Sequence, residues 1–169
     1  PDWGTISPQS DTLCTFGDNV KLIATPKEGY EFVAWHDGVN TKERTYTVAA
    51  KDSTFTATFA PIAYNVFTSA ANSQHGSVEP SSGKVAFGTP MTIEAVPAVG
   101  YGFDHWEDKY GNTLIGGKDL PYTVVAHDTA FVAHFKPQQF LVTIEAESGK
   151  GSVSKGTAMY NYGEIIEVH

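Results

Sequence analysis

Residues 16–35 read FGDNVKLIATPKEGYEFVAW, and residues 87–106 read FGTPMTIEAVPAVGYGFDHW. The two stretches align without a gap and share the frame F-G, A-x-P, G-Y-x-F and W. Downstream, residues 46–59 (YTVAAKDSTFTATF) align with residues 122–135 (YTVVAHDTAFVAHF), again without a gap. Upstream, Gly4-Thr5-Ile6 matches Gly76-Ser77-Val78. Self-similarity at a fixed period is the mark of a repeat architecture and has to be settled before any single segment is interpreted.

A third copy starts near the end of the chain. Residues 140–144 (FLVTI) match residues 64–68 (YNVFT), Gly151-Ser152-Val153 matches Gly76-Ser77-Val78, and Tyr162-Gly163 takes the place of the F-G pair. The three glycines that open these G-[TS]-[IV] segments set a period of 72 and then 75 residues. The expected organisation is a first repeat unit at 1–60 without its opening strand, a complete second unit at 62–136, and the first half of a third at 138–169. About 70–75 residues suffice for a small core, although a marginal one. The third segment lacks the A-x-P-x-x-G-Y-x-F-x-x-W stretch, so it has to lean on another unit. Its docking on the second unit is favoured over exchange between molecules, because the connector at Lys136-Pro137 is short.

Within each unit the patterning has period two. Val20, Leu22 and Ala24 alternate with Lys21 and Ile23; Met91, Ile93 and Ala95 alternate with Thr92 and Glu94. Phe55, Ala57 and Phe59 alternate with threonines, and Phe131, Ala133 and Phe135 follow the same phase. This is the pattern of half-buried strands, and no window has sustained helical periodicity. Gly29 and Gly100 fall where a tight turn needs φ > 0. Pro26 and Pro97 are expected just beyond a strand end, and Pro61 and Pro137 at the joins between units. The segment from Trp106 to Tyr122 is five residues longer than that from Trp35 to Tyr46, and its excess lies in a polar, Gly-rich surface excursion. The fold class is therefore all-β, in tandem small modules.

Composition narrows the function. Hydrophobic residues make up 41% and charged residues 18%, which suits strands and turns rather than disorder. A formal net charge of −8 disfavours nucleic acid as a partner. No apolar run is long enough for a membrane-spanning helix. One cysteine, Cys14, allows neither an internal disulfide nor a Cys-based zinc site.

The motif G-[TS]-[IV] … [FY]-G … A-x-P-x-x-G-Y-x-F-x-x-W … D-[ST]-x-F-x-A-x-F resembles the divergent internalin-type B-repeat. The resemblance extends over nearly the whole chain, and its most specific element stands complete at 24–35 and 95–106. It implies a compact β-rich unit related in plan to β-grasp modules, carried in tandem on secreted or surface-anchored bacterial proteins. Such units serve as stalks, spacers or adhesive modules toward host or bacterial surface proteins or glycans. The implied setting is extracellular, with no catalytic residue and no cofactor.

The residues themselves support that absence of chemistry. His36, His75, His105, His127, His134 and His169 form neither H-E-x-x-H nor H-x-H, and they are expected as separate strand or loop histidines, with no metal. Asp104-His105-Trp106-Glu107-Asp108 is the densest run of acidic groups and imidazole; it would hold a weak cation only if a turn folded it inward. Glu28, Glu31 and Asp37 suggest a hydrolytic carboxylate pair, but the second unit has Val99 and Gly102 at the first two positions, so the pair is not part of the design. Trp35 and Trp106, fixed relative to G-Y-x-F, are expected as core anchors. Trp3 has no aromatic counterpart and is expected to be free for contact. With the 109–120 loop, it carries the alternative reading, a carbohydrate-binding module.

Overall fold

A computed structural model describes residues 2–9, 12–153 and 156–167. Among these it contains strands and turns and no helix. Fifteen strands are formed, β1 (Gly4–Ser7), β2 (Asn19–Pro26), β3 (Tyr30–Trp35), β4 (Glu43–Thr47), β5 (Ala57–Pro61), β6 (Ala63–Ala70), β7 (Gly76–Glu79), β8 (Gly83–Ala86), β9 (Pro90–Pro97), β10 (Tyr101–Asp108), β11 (Thr113–Leu114), β12 (Asp119–Thr123), β13 (Thr129–Pro137), β14 (Gln139–Val142) and β15 (Ala158–Asn161).

The two sequence repeats build the same sheets. In the first repeat the order is β1-β2-β4, with β3 paired to β5; in the second it is β7-β9-β12, with β10 paired to β13. Registers correspond as well. Gly4 faces Pro26 as Gly76 faces Pro97, and Phe32 faces Phe59 as Phe103 faces Phe135. The prolines are placed differently from the sequence expectation. Pro26 and Pro97 are the last paired residues of their strands, and Pro61 and Pro137 pair with Tyr30 and Tyr101. Each occupies a strand terminus, where a missing N–H costs no ladder bond.

Sequence alternation alone does not account for F-x-x-W, because positions three apart on a regular strand face opposite sides. A β-bulge resolves this. The β3–β5 ladder slips between Phe32 and Ala34, and the β10–β13 ladder slips between Phe103 and His105. One residue on the partner strand then faces two on the bulged one. Phe32 and Trp35 therefore both turn inward, with ring centroids 5.7 Å apart, and Phe103 and Trp106 do the same at 5.6 Å.

Trp35 and Trp106 are 2% and 0% exposed, the core anchors the spacing predicts. Around Trp35 gather Leu22, Ala24, Ile6, Val20, Phe32, Tyr46, Phe55 and Phe59. Each indole N–H is also satisfied. Nε1 of Trp35 donates to the Thr41 carbonyl at 2.9 Å and that of Trp106 to the Gly117 carbonyl at 3.0 Å, as a buried Trp requires. The longer 109–120 loop is thus anchored. It adds β11 to the edge of β10, and the Asp108 carboxylate ties its turn by accepting from the amides of Tyr110 and Asn112.

β13 has a second neighbour, β6, which lies parallel to it (Thr129 facing Val66 through Ala133 facing Ala70), in a sheet of order β11-β10-β13-β6-β8. β5 of the first repeat has β3 alone as a neighbour among the described residues. In the third segment β14 pairs with β15 in an antiparallel hairpin. The expected opening strand at 140–144 is therefore shorter and ends at Val142. Gly151–Val153 forms no strand, nor do residues 164–167 after Tyr162-Gly163; Val168 and His169 lie outside the described residues.

The chain divides into two compact units. One comprises residues 1–64, 84–90 and 123–128, and the other residues 65–83, 91–122 and 129–169.

Candidate functional site

Two constellations stand out, one of aromatic rings and one of histidines. The first is built twice. Gly29 adopts φ +80° and Gly100 φ +83°. A side chain there would be strained by the left-handed backbone, and its Cβ would overlap a ring already in place: Phe87 over Gly29 and Tyr162 over Gly100. Phe87 also meets Tyr30 edge-on at 5.4 Å, and Tyr162 meets Tyr101 edge-on at 5.7 Å. In both places the ring comes from the F-G (or Y-G) segment of the following sequence repeat. Phe87 nevertheless belongs to the same compact unit as Gly29, and Tyr162 to the same unit as Gly100.

The backbone repeats the arrangement. The Ile62 amide donates to the Gly29 carbonyl at 2.9 Å, and the Phe87 amide donates to the Ile62 carbonyl at 2.8 Å. One period later, the Gln138 amide donates to the Gly100 carbonyl at 2.8 Å and the Tyr162 amide to the Gln138 carbonyl at 2.8 Å. The other face of each tyrosine is covered too. Trp3 stacks on Tyr30 (5.4 Å, 15° between planes) and His75 on Tyr101 (4.1 Å, 16°). Trp3 is therefore not the free contact residue expected from sequence. His75 is its counterpart, and a ring of either type serves as a flat cover.

The second constellation lies on the outward side of β10 and β13. At the β10 bulge Asp104 and His105 come to the same side, and the Asp104 carboxylate accepts from His105 Nδ1 at 2.9 Å. His105 stands directly across from His134, with rings stacked at 4.4 Å and 5° between planes. Glu107, two residues along, brings a carboxylate oxygen to 3.4 Å from His134 Nε2. That is ion-pair distance for a protonated ring but not an aligned hydrogen bond, and the nitrogen, itself buried, has no hydrogen-bond partner. Lys136 completes the group, 2.9 Å from the other Asp104 oxygen; its hydrogen bond, followed by that from His105, holds the Asp104 carboxyl below the usual carboxylate range.

Sequence reasoning treated these histidines as separate groups. Positions 105 and 107 on alternate residues of one strand carried half of the signal, but His134 joins them only through strand register. The Asp104–Asp108 run does not fold inward as a turn; it is a strand. The carboxylates whose spacing suggests a hydrolytic pair are engaged or exposed: Asp37 is gripped by Arg44 Nη1, 2.7 Å from both oxygens, while Glu28 and Glu31 are exposed. Cys14 is exposed and free. A shallow depression in the second unit, bordered by Gly102, Lys136, Gln138, Gln139 and Asn161, offers no carboxylate, imidazole or thiol.

The family model described as the divergent InlB B-repeat domain matches residues 2–63 and again residues 66–139. The chain belongs to the divergent InlB B-repeat family. Comparison with curated proteins and with solved structures gives no match. The two matched B-repeat regions coincide with the two copies of G-Y-x-F-x-x-W, so the bulge, the buried tryptophan and the Gly-Tyr seat are features of B-repeats as this chain builds them.

Proposed function

We propose that this B-repeat segment is a non-catalytic stalk or spacer of a secreted or surface-anchored bacterial protein, in which each compact unit is closed by an aromatic clasp drawn from the following sequence repeat. The observation that carries the reading is the recurrence of the clasp with the same backbone bonds, Phe87 on Gly29-Tyr30 and Tyr162 on Gly100-Tyr101. A spacer has to bear tension without its modules opening, and a ring seated where no Cβ fits holds together the two sequence repeats that contribute to one unit. Phe16 is the same ring in the first repeat. The amide of Gly17, the residue after it, donates to the Val48 carbonyl at 3.0 Å, as that of Gly88 does to Val124 at 2.9 Å, yet Phe16 is 74% exposed.

Phe87→Ala and Phe16→Ala test the clasp side by side in this chain. Removing the seated Phe87 ring should cost about 1–2 kcal/mol, read by denaturant unfolding, and Phe16→Ala close to nothing. Equal effects would mean that the seat contributes no grip. A glycan array addresses the adhesive alternative: saturable binding that disappears when Tyr110 or its loop is altered would replace the spacer reading with a carbohydrate-binding one.

A further inference from the structure

We infer that the outward face of β10 and β13 holds a binding site for a divalent transition ion of the zinc type, with His105, Glu107 and His134 as ligands. Their ligand atoms lie within 4.8 Å of one another. Tetrahedral zinc with bonds of about 2.0–2.2 Å needs ligand atoms about 3.4 Å apart, so the side chains have to turn toward one another to close on an ion.

Three features of the site point to a ligand rather than to three unrelated polar groups. The first is the tautomer of His105. The Asp104 carboxylate is acceptor-only, so the Nδ1 it binds at 2.9 Å carries the proton, and the Nε2 lone pair is left free to ligate. A carboxylate behind a ligating imidazole is the usual second layer of a zinc site, fixing ring orientation and raising its basicity. Asp104 is fixed in turn by Lys136 at 2.9 Å.

The second is His134 Nε2, a buried nitrogen with no hydrogen-bond partner and a carboxylate oxygen 3.4 Å away. A cation between those two atoms satisfies both. The third is access. The side chains of His105, Glu107 and His134 are 31%, 34% and 31% exposed, so the site lies at the surface, and a turn of the stacked His105 ring opens the buried His134 Nε2 to an ion that retains water in its fourth position. Two imidazoles and one carboxylate select zinc, copper, nickel or cobalt over magnesium and calcium, which prefer all-oxygen sets. The parallel rings have to tilt apart for both lone pairs to converge, so binding should break the His105–His134 stack.

The site is specific to the second repeat. Ala34, His36 and Thr58 occupy the corresponding places in the first, and they supply one imidazole and no carboxylate. The chain should therefore take one ion, not two.

Calorimetric titration of the chelator-stripped chain with zinc chloride tests this. One ion should bind per chain, with no heat from magnesium chloride. Glu107→Gln and His134→Gln should each lower the affinity by more than tenfold, and Asp104→Asn by about tenfold, while melting temperatures in EDTA stay at the wild-type value. Nitrogen-15 spectra of the histidine side chains should show Nε2 of residues 105 and 134 shifting on addition of zinc, with His75 and His127 unmoved. Absence of saturable heat, or zinc binding by His134→Gln as tight as wild type, would overturn the proposal. Any variant that melts early in EDTA is judged on the spectra of the wild-type chain, where unshifted Nε2 signals at residues 105 and 134 would likewise overturn it.

Discussion

On the inner side of the β3–β5 pair stand Phe32, Trp35, Ala57 and Phe59; on that of β10–β13 stand Phe103, Trp106, Ala133 and Phe135. The two lists differ by no chemical group. The outer sides differ at every central position, Ala34, His36 and Thr58 against His105, Glu107 and His134. The loops differ too. The first repeat closes its short loop with the Asp37–Arg44 pair, whereas the second inserts five residues and ties them to Asp108. The comparison separates what the fold demands from what it tolerates. The buried rings and the bulge that aims them are fixed, and the outward face is open to new chemistry.

The largest expected effect breaks the shared part. Trp106→Ala removes a fully buried ring and a satisfied N–H; it should cost about 3–5 kcal/mol, and Trp35→Ala a similar amount. Chemical denaturation measures both, and a loss below about 1 kcal/mol at either would show that the two cores are not equivalent.

The next contrast lies among the glycines. Gly88→Ala and Gly100→Ala both place a Cβ at positive φ, but only Gly100 also has a ring over it. Backbone strain alone should cost about 1 kcal/mol at Gly88, and strain plus overlap about 3 kcal/mol at Gly100. Equal losses would show that Tyr162 yields freely. The pair Gly17→Ala and Gly29→Ala repeats the test in the first repeat.

The smallest effect concerns pH. Hydrogen bonds from Arg44 lower the Asp37 pKa, and hydrogen bonds from Asn112 lower that of Asp108. A carboxylate with a depressed folded pKa binds its proton more weakly in the folded state than in the unfolded one. Its contribution is complete above the unfolded value of about 3.9 and is lost as pH falls through the folded value. Stability should therefore be level near neutrality and decline below about pH 4. Asp37→Asn and Asp108→Asn should each flatten part of that decline in acid titrations followed by circular dichroism. Added salt should weaken the Asp37 contribution more, because its partner is a charge rather than an amide.

The period, the strand phases and the buried tryptophans were legible in the sequence because they rest on local alternation and on gapless self-alignment. The phase of F-x-x-W was not, since a bulge is a property of two strands and is absent from either one alone. His134 was out of reach for the same reason, being 29 residues from its cross-strand partner His105. Trp3 misled in a different way: an aromatic without an aromatic counterpart looked spare, whereas the covering role passes to an imidazole, His75, in the next repeat. The opening strand expected at 140–144 in the third segment stops at Val142, and β15 was missed because Ala158–Asn161 has little apolar alternation and is held by pairing with β14.

The Gly-Tyr seat and the ring that fills it stand more than fifty residues apart, in successive repeats. A window of one period therefore contains one of each whatever residue it starts from. Unequal crossing-over within the gene can delete or duplicate such a window at any phase and still leave every internal seat matched with a ring. The array can thus change length by recombination while each unit keeps its seat filled.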